Sequence, residues 1–205
     1  MKATDLLKKQ HAKVDALFAR FEKAKKGQDK AAVFQEIAAN LVAHDAIERE
    51  IFYPACEEAM GLTDTLGEAL VEHGLVEFML FRADQNLNTD ALAHHVKVLQ
   101  EVVEHHVEEE EEEFFPKVEE SIESAELEEL GLEMEVRFAD AMQEDFRPPL
   151  LDNLTQVLAG AMKTAPGEGL AEADAAPPPP KAAARAKSGV PPKKAPNKRN
   201  KPRAA

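Results

Sequence analysis

One short pattern occurs twice in this 205-residue chain, and it limits the possible folds more than any other feature of the sequence. The two copies lie 62 residues apart and read His44-x3-Glu48-x3-Phe52-x-Pro54 and His106-x3-Glu110-x3-Phe114-x-Pro116. At the same interval His11 is repeated as His73, and the repeat selects His106 rather than His105 as the counterpart of His44. The sequence therefore predicts two copies of one structural unit, related by a pseudo-two-fold axis.

Apolar residues recur at alternating steps of three and four along four segments, which is typical of amphipathic helices that face a core. These segments are approximately Leu7–Phe21, Phe34–Ala55, Leu66–Leu80 and Leu92–Phe114. Gly27 and Gly61 are predicted to end the first two helices, and Asp29, Thr65, and Thr89 or Asp90 to begin the other three. Long helices joined by short loops predict an all-α, antiparallel up-down four-helix bundle over residues 1–122.

Polar residues interrupt each of these apolar stripes. Every stripe contains a histidine, and the second and fourth also contain a glutamate one turn later. A carboxylate on a core-facing position is costly unless it is paired or bound to a metal. The sequence midpoints of His11 and His44, of Glu48 and His73, and of His73 and His106 all fall at the predicted turns, so we expect these side chains at similar depths. The predicted metal ligands are His11, His44, Glu48, His73, His106 and Glu110.

A seventh candidate is Glu77, one turn after His73. It is predicted either to ligate as a third carboxylate or to hydrogen-bond a ligand histidine.

Imidazole and carboxylate ligands suit iron, manganese, zinc or cobalt, and four histidines with two glutamates are too many for one tetrahedral zinc. Carboxylate-bridged pairs of metals are known in helical bundles. We therefore predict two metals, each held by two histidines, with Glu48 and Glu110 between them. Open coordination positions would then receive O₂, NO or peroxide.

The order and spacing of these residues resemble the hemerythrin-like family, which has an HHE cation-binding domain. The resemblance extends over about residues 1–121 and implies a non-haem di-iron centre held by the six residues, with manganese or zinc less favoured. In the oxygen-carrying branch a second histidine stands where this chain has Glu77, and the fourth helix has a longer spacing to an aspartate. The resemblance therefore implies binding or sensing of a small ligand, or iron handling under stress, rather than oxygen transport.

Two other functions stay open at this point. The same centre would suit an enzyme that reduces peroxide or NO, or that repairs iron–sulfur clusters with Cys56 as the only available thiol. The third possibility is a metal-free acidic helical scaffold. Cys56 is predicted to be an inert core residue, and Tyr53 to pack in the core rather than donate its hydroxyl to the site. His105 and the glutamates around Glu110 are predicted to face solvent.

The remainder of the chain differs in composition. Residues 123–163 are predicted to form accessory helices, Ala125–Gln143 and a second helix after Pro148 and Pro149, which either cover the bundle or form a dimer interface. Residues 164–205 are predicted to be a disordered basic tail, because nine Lys or Arg and no acid follow position 175 although the whole chain has a net charge of −14.

The tail is predicted to contact nucleic acid or an acidic protein surface nonspecifically. With one cysteine and no apolar run of about 20 residues, the chain is predicted to be a cytoplasmic monomer or homodimer without a membrane contact.

Overall fold

The computed structural model describes residues 1–25 and 27–159, and within these residues it contains helices and loops but no strand. The prediction of an all-α helical bundle is confirmed. The helices are, in chain order, α1 (Ala3–Lys23), α2 (Gln28–Ile47), π1 (Glu48–Phe52), α3 (Tyr53–Met60), α4 (Asp64–Asp84), α5 (Leu92–Glu109), π2 (Glu110–Phe114), α6 (Phe115–Ser121), α7 (Ser124–Ala141) and α8 (Arg147–Leu158). The predicted tail, 164–205, lies outside the described residues.

The second and fourth predicted helices are each interrupted by one π-helical turn, which the sequence analysis did not anticipate. Both turns begin at a repeated glutamate: the Tyr53 N–H donates to the carbonyl of Glu48, and the Phe115 N–H donates to the carbonyl of Glu110. A proline follows each turn at Pro54 or Pro116 and has no N–H to continue an α-helical ladder. The wider turn is therefore a repeated consequence of the repeated Phe-x-Pro sequence.

Caps place the helix ends near the predicted turns, with some corrections. Helix α2 begins at Gln28 rather than Asp29, and α5 begins at Leu92, after Ala91, rather than at Thr89 or Asp90. Gly27 and Gly61 both have positive φ, at 86° and 75°. Gly61 follows α3 as predicted, whereas α1 ends earlier, at Lys23, and Gly27 precedes α2. The predicted start at Thr65 is wrong because Thr63 is the N-cap of α4, and its hydroxyl accepts a hydrogen bond from the Leu66 N–H at 3.1 Å.

The apolar core consists of two clusters separated by a polar layer. One cluster includes Phe18, Phe34 and Leu99, and the other includes Phe52 and Phe114. Along the bundle helices, the repeated histidines and glutamates lie between the residues of one cluster and those of the other. The helices therefore hold the polar layer in the middle of the core, where the surrounding apolar side chains exclude water.

Two further helices cover the bundle: α7 packs against α1 and α2, and α8 packs against α4. Pro148 and Pro149 lie in the first turn of α8, where a missing N–H is tolerated, so the break predicted at these prolines occurs just before them. Leu150 and Leu154 are the buried residues of α8. No helix in the described ranges has the length and apolar character needed to cross a membrane.

Candidate metal centre

The four repeated histidines meet in the polar layer as two close pairs. His11 and His44 belong to the first half of the repeat, and their Nε2 atoms lie 3.3 Å apart. His73 and His106 belong to the second half, and their Nε2 atoms lie 3.0 Å apart. All four side chains are buried.

The two glutamates lie between these pairs. One oxygen of Glu48 is 3.2 Å from His44 Nε2, and the other is 3.4 Å from His73 Nε2. Glu110 Oε2 is 3.4 Å from His11 Nε2 and 3.6 Å from His106 Nε2. Each carboxylate therefore reaches from one histidine pair to the other.

Each of the four repeated histidines also donates its Nδ1–H to an oxygen of a neighbouring side chain. The four contacts are His11 to Glu111 at 2.8 Å, His44 to Gln10 at 2.8 Å, His73 to Asp45 at 2.6 Å and His106 to Glu72 at 2.9 Å. Because these acceptors fix the proton on Nδ1, the Nε2 lone pair of each ring faces the centre. The apolar periodicity does not indicate these partners. The 62-residue repeat aligns Gln10 with Glu72, and that alignment was the signal in the sequence for these two.

The arrangement fits a pair of cations. Facing lone pairs repel, and neither oxygen of Glu48 nor Oε2 of Glu110 has a hydrogen-bond partner although all three are buried. Nitrogens bound at about 2.1 Å to one ion, at right angles, lie about 3 Å apart, which matches both histidine pairs. Two buried groups of donor atoms within 4.8 Å of one another are able to hold an ion: His11, His44, Glu48 and Glu110, and Glu48, His73 and His106. A third group with such spacing, formed by Glu72, His105 and Glu109, is not fully buried.

Comparison with known proteins identifies the family of this chain. The family described as the hemerythrin HHE cation-binding domain matches residues 2–118. This chain belongs to that family. The resemblance stated from the sequence is thereby confirmed, and the HHE domain includes all six of the predicted ligands.

A solved structure is similar to this chain beyond the limits of the HHE domain. It is a hemerythrin HHE cation-binding domain-containing protein from Mycobacterium kansasii, 27% identical, with a TM-score of 0.64 over 75% of this chain and 99% of that one. Among the curated proteins, none matches this chain.

Burial and close charges shift the titration of this centre strongly. Burial and the nearby Glu110 raise the pKa of Glu48. Burial and the neighbouring His11 lower the pKa of His44 to about 3. Burial opposes protonation of His106, but Glu110 and Glu72 outweigh it and raise the pKa to about 9. Protons therefore balance the carboxylates when no cation does, so metal and proton compete for the same atoms.

Tyr53 takes part in the site: of the two roles that the sequence left open, donation by its hydroxyl is observed and not packing alone. Its hydroxyl donates to Glu110 Oε1 at 3.0 Å and lies 3.0 Å from His73 Nε2. The extra residue of π1 rotates position 53 towards the centre, which regular helical counting does not foresee.

Glu77 has a partner that the sequence did not indicate. It accepts a hydrogen bond from Arg49 at 2.8 Å, and Arg49 also donates to Asp45 at 2.7 Å. The structure therefore places Glu77 in an ion pair beside the centre, and it is in none of the donor groups that are able to hold an ion. Arg49 directly follows Glu48 in the sequence. Its burial and its pairing with Glu77 could not be predicted, because apolar periodicity gives no information about buried charged residues.

A small cavity adjoins the four histidines. Its volume is about 40 Å³, and aliphatic side chains make up most of its wall, among them Val14, Leu41, Val76, Leu80, Val103 and Leu150. About 10–15 Å³ of such space accommodates one water, so the cavity has room for a molecule of two or three heavy atoms.

Proposed function

We propose that this HHE protein is a non-haem di-iron-binding protein whose centre binds or senses a small ligand, with O₂ or NO favoured over peroxide. The cavity beside the histidines is the observation that carries this proposal. Its small size limits the ligand to a few atoms, and its aliphatic wall offers little hydrogen bonding to a polar ligand. An apolar diatomic molecule suits that environment better than hydrogen peroxide does.

Iron is the metal we favour, because its bound form supplies a redox-active Lewis acid that takes such ligands. The chain would hold two ions through His11 and His44 on one side and through His73 and His106 on the other. Glu48 and Glu110 lie between the two sides and would neutralise both. The Nδ1 partners hold each ring in one tautomer, and the apolar clusters keep bulk water away.

The test is a cavity-filling variant. Val76 lies on α4 in the cavity wall and is only partly buried, so Val76→Phe should fold and fill space beside the histidines. We expect anaerobically iron-loaded Val76→Phe to retain its iron but to bind NO or O₂ at least about tenfold more weakly in an optical titration.

The matched control is Val71→Phe on the same helix, because Val71 is 54% exposed and lies away from the cavity. It should bind the ligand as the wild type does. Equal ligand affinity in Val76→Phe and the wild type would contradict the proposed binding position.

An enzyme is the second candidate, favoured by the hydroxyl of Tyr53. This hydroxyl lies within hydrogen-bond distance of Glu110 and His73 and would be able to pass a proton to a ligand at the centre. Sustained consumption of peroxide or NO by the purified iron-loaded protein, reduced in Tyr53→Phe, would favour the enzyme over the binding protein.

Repair of iron–sulfur clusters is less well supported than ligand binding. Such repair calls for a reactive thiol, but Cys56 is fully buried and burial raises its pKa. The metal-free scaffold is also disfavoured, because Glu48 and Glu110 bring buried oxygens together without hydrogen-bond donors.

For the basic tail we propose nonspecific contact with nucleic acid or an acidic protein surface. The positive charge of residues 176–205 supports this contact. We also propose that the protein is cytoplasmic and is a monomer or homodimer. Removing residues 176–205 should abolish any binding to duplex DNA at low salt, and equal DNA binding by the shortened chain would contradict the role.

A further inference from the structure

The contacts among the six ligands obey the two-fold relation of the sequence repeat. The His11–His44 pair corresponds to the His73–His106 pair, at 3.3 and 3.0 Å. The contact of Glu48 with His73 corresponds to the contact of Glu110 with His11, and both are 3.4 Å. The ligand distances are therefore close to two-fold symmetric, although Glu110 joins the donor atoms around His11 and His44 and not those around His73 and His106.

The residues that hold the histidines do not obey that relation. His44 donates to the neutral amide of Gln10, whereas its counterpart His106 donates to the carboxylate of Glu72, 62 residues further along. The Nδ1–H of His106 therefore faces a carboxylate with a formal negative charge, whereas the Nδ1–H of His44 faces a neutral amide.

The other two histidines differ in the same direction. His73 donates to Asp45, which is 12% exposed, whereas His11 donates to Glu111, which is 35% exposed. The more exposed carboxylate is screened by water and interacts more weakly with its histidine.

Asp45 is also held more firmly than Glu111 is. Arg49 donates to its Oδ1 at 2.7 Å, and Asn153 of α8 donates to its Oδ2 at 2.9 Å. Helix α8 therefore supports His73 through Asp45, although it lies beyond the HHE domain.

An aromatic position repeats the pattern. Tyr53 places its hydroxyl 3.0 Å from His73, and the residue 62 positions later is Phe115, which stacks on His11 with ring centres 6.0 Å apart. Two of the three differences put the more negative or more polar partner beside His106 or His73, and the third puts the more buried carboxylate beside His73.

We propose that the two metal positions are unequal, and that the His73–His106 position binds its cation more tightly and fills first. Glu72 and Asp45 are the positioning residues responsible, with Asn153 acting through Asp45. A carboxylate behind a ligating imidazole increases its basicity and fixes its orientation, and loss of such a partner typically costs about 10–100-fold in metal affinity. The inference rests on the proposed two-metal function.

The experiment exchanges the partners that the repeat aligns. Metal-free protein is titrated anaerobically with Fe²⁺ against a chromophoric chelator. For the wild type we expect two steps that differ by at least about tenfold in affinity. Glu72→Gln should weaken the first step about tenfold and leave the second unchanged, whereas Gln10→Glu should strengthen only the second.

Glu108→Gln is the matched control, because Glu108 is exposed and lies two residues before Glu110. It should titrate as the wild type does. A second readout is the Mössbauer spectrum at one equivalent of iron, which should contain one ferrous species rather than an equal mixture of two.

The outcomes separate the inference from the function on which it rests. If the wild type binds fewer than two Fe²⁺ per chain, the di-iron function is overturned. If it binds two with equal affinity, or if Glu72→Gln weakens only the second step, the di-iron function stands and the inequality is overturned. Should Glu72→Gln fail to fold by circular dichroism, Gln10→Glu decides, because strengthening of the first step would contradict the assignment.

Discussion

Glu48 is fully buried, yet neither of its carboxylate oxygens receives a hydrogen bond from the protein. A buried carboxylate in this state costs several kcal/mol unless a cation or a proton balances it. In the metal-free protein the raised pKa of Glu48 favours the protonated, neutral carboxyl group. In the metal-bound protein the positive charge of the ions would balance the carboxylate. One residue therefore stabilises the loaded protein and destabilises the empty one.

Replacing Glu48 by Leu should have opposite effects in these two states. We expect the free energy of unfolding of the metal-free protein to rise by about 1–4 kcal/mol, because an apolar side chain replaces a buried acid. The bound iron should fall below two per chain. Denaturant unfolding of the metal-free protein and metal analysis after reconstitution measure the two effects.

A suitable control is Glu112→Leu, since Glu112 is exposed and lies two residues after Glu110. It should leave the iron content unchanged. Full iron content in Glu48→Leu would show that this carboxylate does not hold the metals.

At the scale of the element, the sequence predicted what depends on the period of the helix and missed what departs from it. The stripes, the four histidines and the turn positions follow from steps of three and four. The π-turns before Pro54 and Pro116 each add one residue to a helical turn, so the side chain of Tyr53 faces the centre although steps of three and four do not place it there. Partners such as Asp45 and Arg49 lie beside the stripe, so apolar periodicity carries no information about them.

Close contact between two elements gives a prediction of its own. Helix α7 approaches the start of α1 at Gly131, where an added Cβ would collide with the backbone of Met1 and Ala3. Gly131→Ala should lower the free energy of unfolding by about 1–3 kcal/mol, because backbone atoms have to move to make room. Denaturant unfolding of the protein as purified measures this change.

Gly67 provides the opposite case within α4, because a Cβ built there meets no atom within 4 Å. Gly67→Ala should raise the free energy of unfolding by about 0.5–1 kcal/mol through the better helical propensity of alanine. Equal effects of the two substitutions would contradict the packing of α7 on α1.

At the scale of the whole molecule, the predicted ligands come from both halves of the chain, so we expect metal binding and folding to be coupled. Removal of the metal by a chelator should lower the melting temperature at pH 7. Unchanged melting after complete removal would show that the ions do not join the two halves.

The pH dependence of the metal-free protein has a definite sign. The pKa of His106 rises from 6.5 to about 9 on folding, so its contribution to stability is present below pH 6.5 and is lost as the pH rises through 9. Over the same interval proton competition weakens, and Fe²⁺ affinity should increase. Melting curves with and without iron should therefore diverge as the pH increases, and parallel curves would contradict the linkage.

The repeat has a consequence for ancestry. His11, His44 and Glu48 all come from the first hairpin, and two identical hairpins facing each other across a true dyad would supply four histidines and two glutamates between them. A shorter forebear, dimerising through that face, would already have contained the full ligand set. Joining two such halves into one polypeptide would free each copy to mutate alone, and would allow the glutamine at position 10 and the glutamate at position 72 to occur in one molecule.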